Sequence, residues 1–358
     1  MSMVLSKPAL LGHSARELSE ILVDLGEPKM RGRQLAQNLY RQNVREFGLM
    51  TDLPVQLRTR LEAEFVACPL QVADHKKSSD GVEKLLVHRG DQQVFECVLL
   101  PYQDRVSCCL STQVGCPMGC TFCATGLGGF DRNLEVSEII GQYLLLQSLT
   151  ERRLSHVVFM GMGEPLLNLD NLLKTIHLMH DEVGLSLRHI TVSTVGLAPQ
   201  ILKLAEHKLP IHLALSLHSA VDEVRSRLMP VNHKWPVAEV FATMRTYHEA
   251  TGRKITIEYL LIQGVNDSRE QADALAKLVK GVPNVINIIP FNWVDTGQGF
   301  KRPTRENVRR FKGYLESRGC NVTERVERGH DIAAACGQLA GQHTGRFARR
   351  SGGLRVVD

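Results

Sequence analysis

Apolar residues recur at helical spacing over 15–25, 31–49 and 55–65, and Gly26-Glu27-Pro28 and Leu53-Pro54 interrupt the pattern between them. From about residue 70 the period changes. The runs Glu83-Lys84-Leu85-Leu86-Val87-His88 and Gln93-Val94-Phe95-Glu96-Cys97-Val98-Leu99 are short and strand-like, with Ser79-Asp80-Gly81 and Arg89-Gly90-Asp91 as turn signals. They predict antiparallel strands. Beyond Val106, strand patterns at 106–113, 156–160, 189–194, 211–216, 256–262, 285–290 and 321–325 alternate with helical patterns at 137–148, 169–181, 198–206, 237–249, 269–280 and 305–318. Such alternation predicts an α/β fold with a parallel sheet. The units are too few to close an eightfold ring, so the expectation is a partial (β/α)6 barrel. The organisation read from the chain is a helical accessory domain over 1–68 and a β-hairpin linker region over 69–104. The barrel core follows over 105–342, and then a disordered basic tail over 343–358.

Composition narrows the class. With 358 residues, 43% of them hydrophobic, the chain can bury a large core. Its first twenty residues are polar and interrupted by Pro8 and Gly12, unlike a secretory signal, and its longest apolar runs fall short of the ~20 residues of a membrane span. The expectation is a soluble, cytoplasmic protein with no membrane partner. A net charge of +5 is compatible with an RNA partner without demanding one.

The cysteines change the picture. There are 9, an odd number, and Cys108, Cys109, Cys116, Cys120 and Cys123 are crowded together while Cys68, Cys97, Cys320 and Cys336 stand apart. Such clustering argues for a metal or redox site rather than a disulfide framework. Cys116-x-x-x-Cys120-x-x-Cys123 sits in a loop bent by Gly115, Pro117 and Gly119, directly after the first core strand. Structural zinc sites are four-coordinate and usually built from paired half-sites. Three converging thiolates suit a four-iron cluster with one iron left open. Several polar or glycine-bearing segments fall just past strand ends, where barrels carry their active sites: Gly161-Met162-Gly163-Glu164-Pro165, Ser193-Thr194, Ser216-Leu217-His218 and Asn292. Taken singly, Ser and Asn at strand ends are ordinary turn or cap residues. Cys336, among Ala333, Ala334 and Ala335, could be a small buried residue.

The three-cysteine loop placed after the first strand of a partial barrel resembles that of the radical-SAM superfamily. The fuller run from Cys109 to Gly126, then Gly128-Gly129-Phe130-Asp131-Arg132-Asn133-Leu134, Gly161 to Asn168, and Ala335-Cys336-Gly337-Gln338-Leu339 are similar to one branch. That branch is the bacterial dual-specificity RNA adenine methyltransferases. The resemblance extends from the N-terminal helices to about residue 340.

It implies a 4Fe-4S cluster on Cys116, Cys120 and Cys123, with S-adenosylmethionine used twice per turnover. Gly163 and Glu164 would accept from the ammonium of that cofactor, and Ser193, Ser216, Leu217, His218 and Asn292 would line the rest of its pocket. Cys336 would receive a methyl group, and a radical formed there would add to an adenine carbon of the RNA. Cys109 would then attack Cys336, freeing methylated RNA and leaving a disulfide. Glu96, in an apolar strand, aligns with a carboxylate assigned as proton acceptor, although a surface glutamate is the ordinary alternative.

The implied reaction is methylation at carbon 2 of adenine in 23S ribosomal RNA and of the adenine next to the anticodon in transfer RNA. Methylation at carbon 8, as in the antibiotic-resistance branch, is the alternative, and a non-catalytic iron–sulfur or zinc RNA-binding protein is the reading from another class. The implied partners are large-subunit ribosomal RNA, transfer RNA and an electron donor such as flavodoxin or ferredoxin. Candidate phosphate contacts are Lys29, Arg31, Arg33, Arg41 and Arg45, and around the last core helix Lys301, Arg302, Arg305, Arg309, Arg310 and Lys312.

Overall fold

The computed structural model describes residues 7–90, 93–326 and 328–339. The tail expected over 343–358 and the end of the expected core segment at 340–342 lie outside the described residues.

The chain opens with helices α1 (Ala15–Asp24), α2 (Met30–Ala36) and α3 (Val55–Glu64). Ser14 and Glu17 start α1 with reciprocal bonds, the Ser14 hydroxyl accepting from the Glu17 N–H and the Glu17 carboxylate from the Ser14 N–H. Each satisfies a backbone donor that the first helical turn leaves without a partner. The helix expected over 31–49 is not continuous. It passes from α2 into a π turn at Gln37–Arg41, ends near Asn43, and resumes as a short 3-10 turn at Phe47–Leu49. Asn43 has φ +55°, and its side-chain amide donates to the carbonyl of Leu144. A tertiary contact therefore ends a helix that the apolar spacing would have continued.

Strands β1 (Gln71–Lys77), β2 (Glu83–His88) and β3 (Val94–Pro101) are antiparallel, and β3 pairs antiparallel with β4 (Val106–Cys109) through Val98 opposite Cys109. β1 had no alternating apolar signature: both faces of most of its residues are exposed. The strand expected over 106–113 ends at Cys109. Gln113–Gly115 forms a separate β5, which pairs with β6 (Phe130–Asn133), and between them lies the short helix α4 (Ala124–Leu127). The rest alternates: α5 (Val136–Gln147), β7 (Leu154–Phe159), α6 (Leu169–Asp181), β8 (Ile190–Thr194), α7 (Ala198–Glu206), β9 (His212–Ser216), α8 (Asp222–Leu228), α9 (Val237–Thr251), β10 (Ile255–Leu261), α10 (Arg269–Val279), β11 (Asn284–Pro290), α11 (Arg305–Ser317) and β12 (Val322–Glu324).

β1 to β4 and β7 to β12 make one 10-stranded sheet in that order, with β4 and β7 through β12 mutually parallel. Parallel strands covered on both faces are buried along nearly their whole length, as is Ile255–Leu261 in spite of its Thr256 and Glu258. The same apolar core continues from the N-terminal helices into the barrel, through Leu18, Leu22, Ile140, Leu172 and Ile257. At that junction Glu182 accepts from the Ala15 N–H, and Lys174 pairs with Glu17. α8, which the sequence pattern did not reveal, is a seven-residue helix that carries the fully buried Arg225. Among the described residues, no helix is long and apolar enough to cross a membrane.

Candidate active site

The parallel strands all deliver their carboxyl ends to one side, and two adjoining cavities open there. The first is lined by Cys116, Cys120 and Cys123 on one wall, and by Gly163, Glu164, Ser193, Ser216, His218 and Asn292 on the others. The second is lined by Cys109, Tyr102, Arg328 and Val326. Cys336, Cys123, Asn292, Met160 and Arg325 belong to both. The described linings do not include Glu96 or Leu217.

The cysteine loop turns through Gly115 and Gly119, both at positive φ. A Cβ at Gly115 would lie 2.1 Å from the carbonyl oxygen of Gly129, so only glycine lets β5 and β6 approach this closely. Burial pushes the thiols of Cys116, Cys120 and Cys123 upward; neighbouring cluster thiols add to it at Cys116 and Cys120, and Cys336 adds to it at Cys123. Thiolates here therefore need a cation. Three cysteines lining one cavity supply the ligand type that an iron–sulfur cluster takes.

Gly163, at φ +100°, packs so tightly that a Cβ would meet Gln113 at 2.5 Å. The Gln113 side chain accepts from the Glu164 N–H at 2.8 Å and fixes the turn. The Glu164 carboxylate accepts from the N–H groups of Leu166 and Val195, tying the end of β7 to the end of β8. Burial pushes this carboxyl up to about 7 against those bonds. Ser193 and Ser216, one at each of two neighbouring strand ends, have their hydroxyls 3.2 Å apart. His218 has φ +60°, and its Nδ1 accepts from the Leu260 N–H at 3.0 Å. Burial, helped by Arg225, holds its pKa down to about 3, so the ring is neutral. Phe122, between two of the clustered cysteines, meets it edge-on. Leu217 lies fully buried behind the wall; its carbonyl accepts from Arg225, which also binds the carbonyl of Val195 and the side chain of Asn232. α8 thus braces the ends of β8 and β9.

Cys109 closes β4 and is buried. Burial and then Cys336 push its thiol up to about 12, opposed by Arg325 and by the Met160 N–H. Cys336 lies in the segment after β12, which is tied down on three sides. Asn292 donates to the Cys336 carbonyl at 3.2 Å, Ala124 to the Gly337 carbonyl at 2.9 Å, and Lys84 to the Ala333 carbonyl at 3.1 Å. Glu96 is buried and pairs with Lys84 at 2.8 Å. All nine cysteines are free thiols in this structure.

Arg325 and Glu258 were not singled out from the sequence. Arg325 follows β12 and faces both cavities, with Cys336, Glu258 and Cys109 acting on its charge. Glu258 is the only carboxylate in Ile255–Leu261; burial raises its pKa, and Asn287 donates to it. A lone charge inside a buried strand was the available signal. Of the candidate phosphate contacts, Lys29, Arg33, Arg41, Arg45, Lys301, Arg302, Arg305, Arg309 and Arg310 are exposed, while Arg31 and Lys312 are half-buried.

A parallel partial barrel with a three-cysteine loop after its first parallel strand defines a class, and residues 110–276 match the family model described as the Radical SAM superfamily. A radical SAM methyltransferase of known structure from Sphaerobacter thermophilus is 40% identical, with a TM-score of 0.91 over 94% of this chain and 100% of that one. Residues 9–67 match a second model, the ribosomal RNA large subunit methyltransferase N-terminal domain. A dual-specificity RNA methyltransferase RlmN from Symbiobacterium thermophilum is 46% identical over 96% of this chain and 95% of its own length. Another from Moorella thermoacetica is 45% identical over 95% and 98%. The chain belongs to the RlmN family of radical SAM RNA methyltransferases.

Proposed function

We propose that this chain methylates carbon 2 of an adenine in 23S ribosomal RNA and of the adenine next to the anticodon in transfer RNAs. The observation that carries the reading is that Cys109 and Cys336 line one small cavity, which shares Cys336 with the three-cysteine cavity beside it. Carbon 2 of adenine is not nucleophilic enough for direct methyl displacement. A thiol that carries the methyl group to the base, and a second thiol that later frees the base, meet that difficulty.

Cys116, Cys120 and Cys123 hold the 4Fe-4S cluster. Together with S-adenosylmethionine it supplies the one-electron chemistry that no side chain can. Gly163 and Glu164 take the ammonium end of that cofactor; a carboxyl poised near neutrality by burial ionises when a cation is placed against it. Ser193, Ser216, His218 and Asn292 line the remaining wall, and Leu217 sets its backbone. Cys336 accepts the methyl group and carries its carbon to the adenine. Cys109, as thiolate, then attacks the Cys336 sulfur; the sulfur–carbon bond breaks with its electron pair passing to the adenine-bound carbon, which takes up a proton to become the methyl group, and a Cys109–Cys336 disulfide is left. Arg325 lines both cavities and opposes the burial that raises the Cys109 thiol. Glu96 serves as proton acceptor, and through Lys84 it also bears on the segment carrying Cys336. The electron comes from a small donor such as flavodoxin or ferredoxin.

Anaerobically reconstituted enzyme, with S-adenosylmethionine and a reductant, is incubated with unmodified 23S RNA or transfer RNA, and the methylated nucleosides are separated by liquid chromatography against 2-methyladenosine and 8-methyladenosine standards and identified by mass spectrometry. The expected product is 2-methyladenosine. Only 8-methyladenosine, or no methylated adenosine, would overturn the assignment.

A further inference from the structure

The indole of Trp293 is 67% exposed, unusual for the largest side chain in the protein. It directly follows Asn292, whose side chain is bonded to the Cys336 carbonyl. Its own carbonyl accepts from Gln338, two residues beyond Cys336, at 3.0 Å. The backbone under the ring is therefore fastened from both sides to the segment that bears Cys336. Val326, which lines the cavity shared by Cys109 and Cys336, is 80% exposed. Arg302 bonds to the Phe291 carbonyl and the Asn292 side chain, and Lys301 and Arg305 beside it are exposed. An exposed aromatic residue thus sits on a backbone anchored to the Cys336 segment and directly follows the cavity-lining Asn292, with cations close by in the chain.

We infer that Trp293 is a stacking platform for an RNA base, receiving the nucleotide adjacent to the target adenine as that adenine is drawn out of its stack toward Cys336. The inference rests on the RNA reading above and adds a named recognition residue to it. A base inside a helix cannot reach a thiol that lines a cavity, so the target must be extruded, and its neighbour then loses a stacking partner. An exposed indole replaces that partner without regard to base identity, which suits an enzyme with more than one RNA substrate. The adjoining cations suit the phosphates on either side. A protein electron donor is the other macromolecule that could use an exposed tryptophan. The attachment of Trp293 to the Cys336 segment, where the base must arrive, favours RNA.

The sequence holds 2 tryptophans, Trp235 and Trp293, and Trp235 is half-buried against the core. In Trp235→Phe protein, with cluster reconstituted, emission reports on Trp293 alone. A synthetic RNA stem-loop with an unpaired adenine in its loop is titrated in, while a gel shift measures binding independently. The expected result is saturable quenching that follows the gel-shift curve. In otherwise native protein, Trp293→Ala should raise KM for that RNA roughly tenfold with little change in kcat, and Trp293→Phe should recover most of it. RNA bound in the gel shift with unchanged emission and an unaffected KM would overturn the platform while leaving the RNA reading intact. Quenching by reduced flavodoxin but not by RNA would also overturn it, assigning the indole to donor docking. No RNA bound in the gel shift would overturn both.

Discussion

The Lys84 ammonium and the Glu96 carboxylate form an ion pair at 2.8 Å with side chains only 5% and 3% exposed, and Lys84 donates onward to the Ala333 carbonyl. The carboxylate expected to accept a proton is thus coupled to the segment that holds Cys336. Removing one member of a buried pair leaves an uncompensated charge and costs about 3–5 kcal/mol. Lys84→Met should therefore lower unfolding stability by that order, and Lys84→Met with Glu96→Leu should recover much of it. Glu96→Gln separates the chemistry from the packing: Cys336 should still be methylated, while transfer of the carbon to RNA slows at least tenfold. Equal losses in both steps, measured by single-turnover methyl counting, would reduce Glu96 to a structural role.

Because Cys109 acts after Cys336 has been joined to the base, Cys109→Ala should assemble the cluster, methylate Cys336 and then stall with RNA attached. A denaturing gel should show a protein band shifted by RNA that collapses on nuclease treatment, with the adduct on the Cys336 peptide. Cys109→Ala with Cys336→Ala should show none. Cys120→Ala should lose the broad visible absorbance of the cluster, and with it every later step, whereas Cys336→Ala should keep that absorbance. Normal turnover by Cys109→Ala would rule out the two-thiol route.

His218 is neutral in the fold because burial and Arg225 hold its pKa near 3, and its Nδ1 must stay unprotonated to accept from Leu260. In the unfolded chain it takes a proton near pH 6.5. A folded-state pKa below the unfolded one contributes stability above pH 6.5 that is lost as pH falls toward 3. His218→Asn, which tolerates the left-handed backbone, removes that linkage. Between pH 7 and pH 5 the wild type should lose about 1–2 kcal/mol more than His218→Asn in urea unfolding. Parallel pH profiles for the two proteins would show that His218 is not buried neutral.

What the sequence determined by itself was whatever local periodicity and loop chemistry control. The strand–helix alternation after Val106, helices such as Leu169–Asp181 and Ala198–Glu206, and the side on which Cys116, Cys120 and Cys123 would gather all follow from spacings within about twenty residues. A parallel barrel sends its strand ends to one side whatever its length, so Gly163, Ser193, Ser216 and Asn292 could be assigned to one mouth without coordinates. The tertiary structure decided the long-range matters. It ended a helix at Asn43 through Leu144, added the polar strand Gln71–Lys77 to the sheet edge, and joined Ala124 to Gly337, bringing Cys336 beside a loop more than two hundred residues earlier. It also brought Arg325 to both thiols and Lys84 to Glu96. Such pairings depend on which side chains share a buried space after the chain has closed on itself. No periodicity along the chain encodes that, because the partner's energy is set by burial and distance rather than by neighbours in sequence.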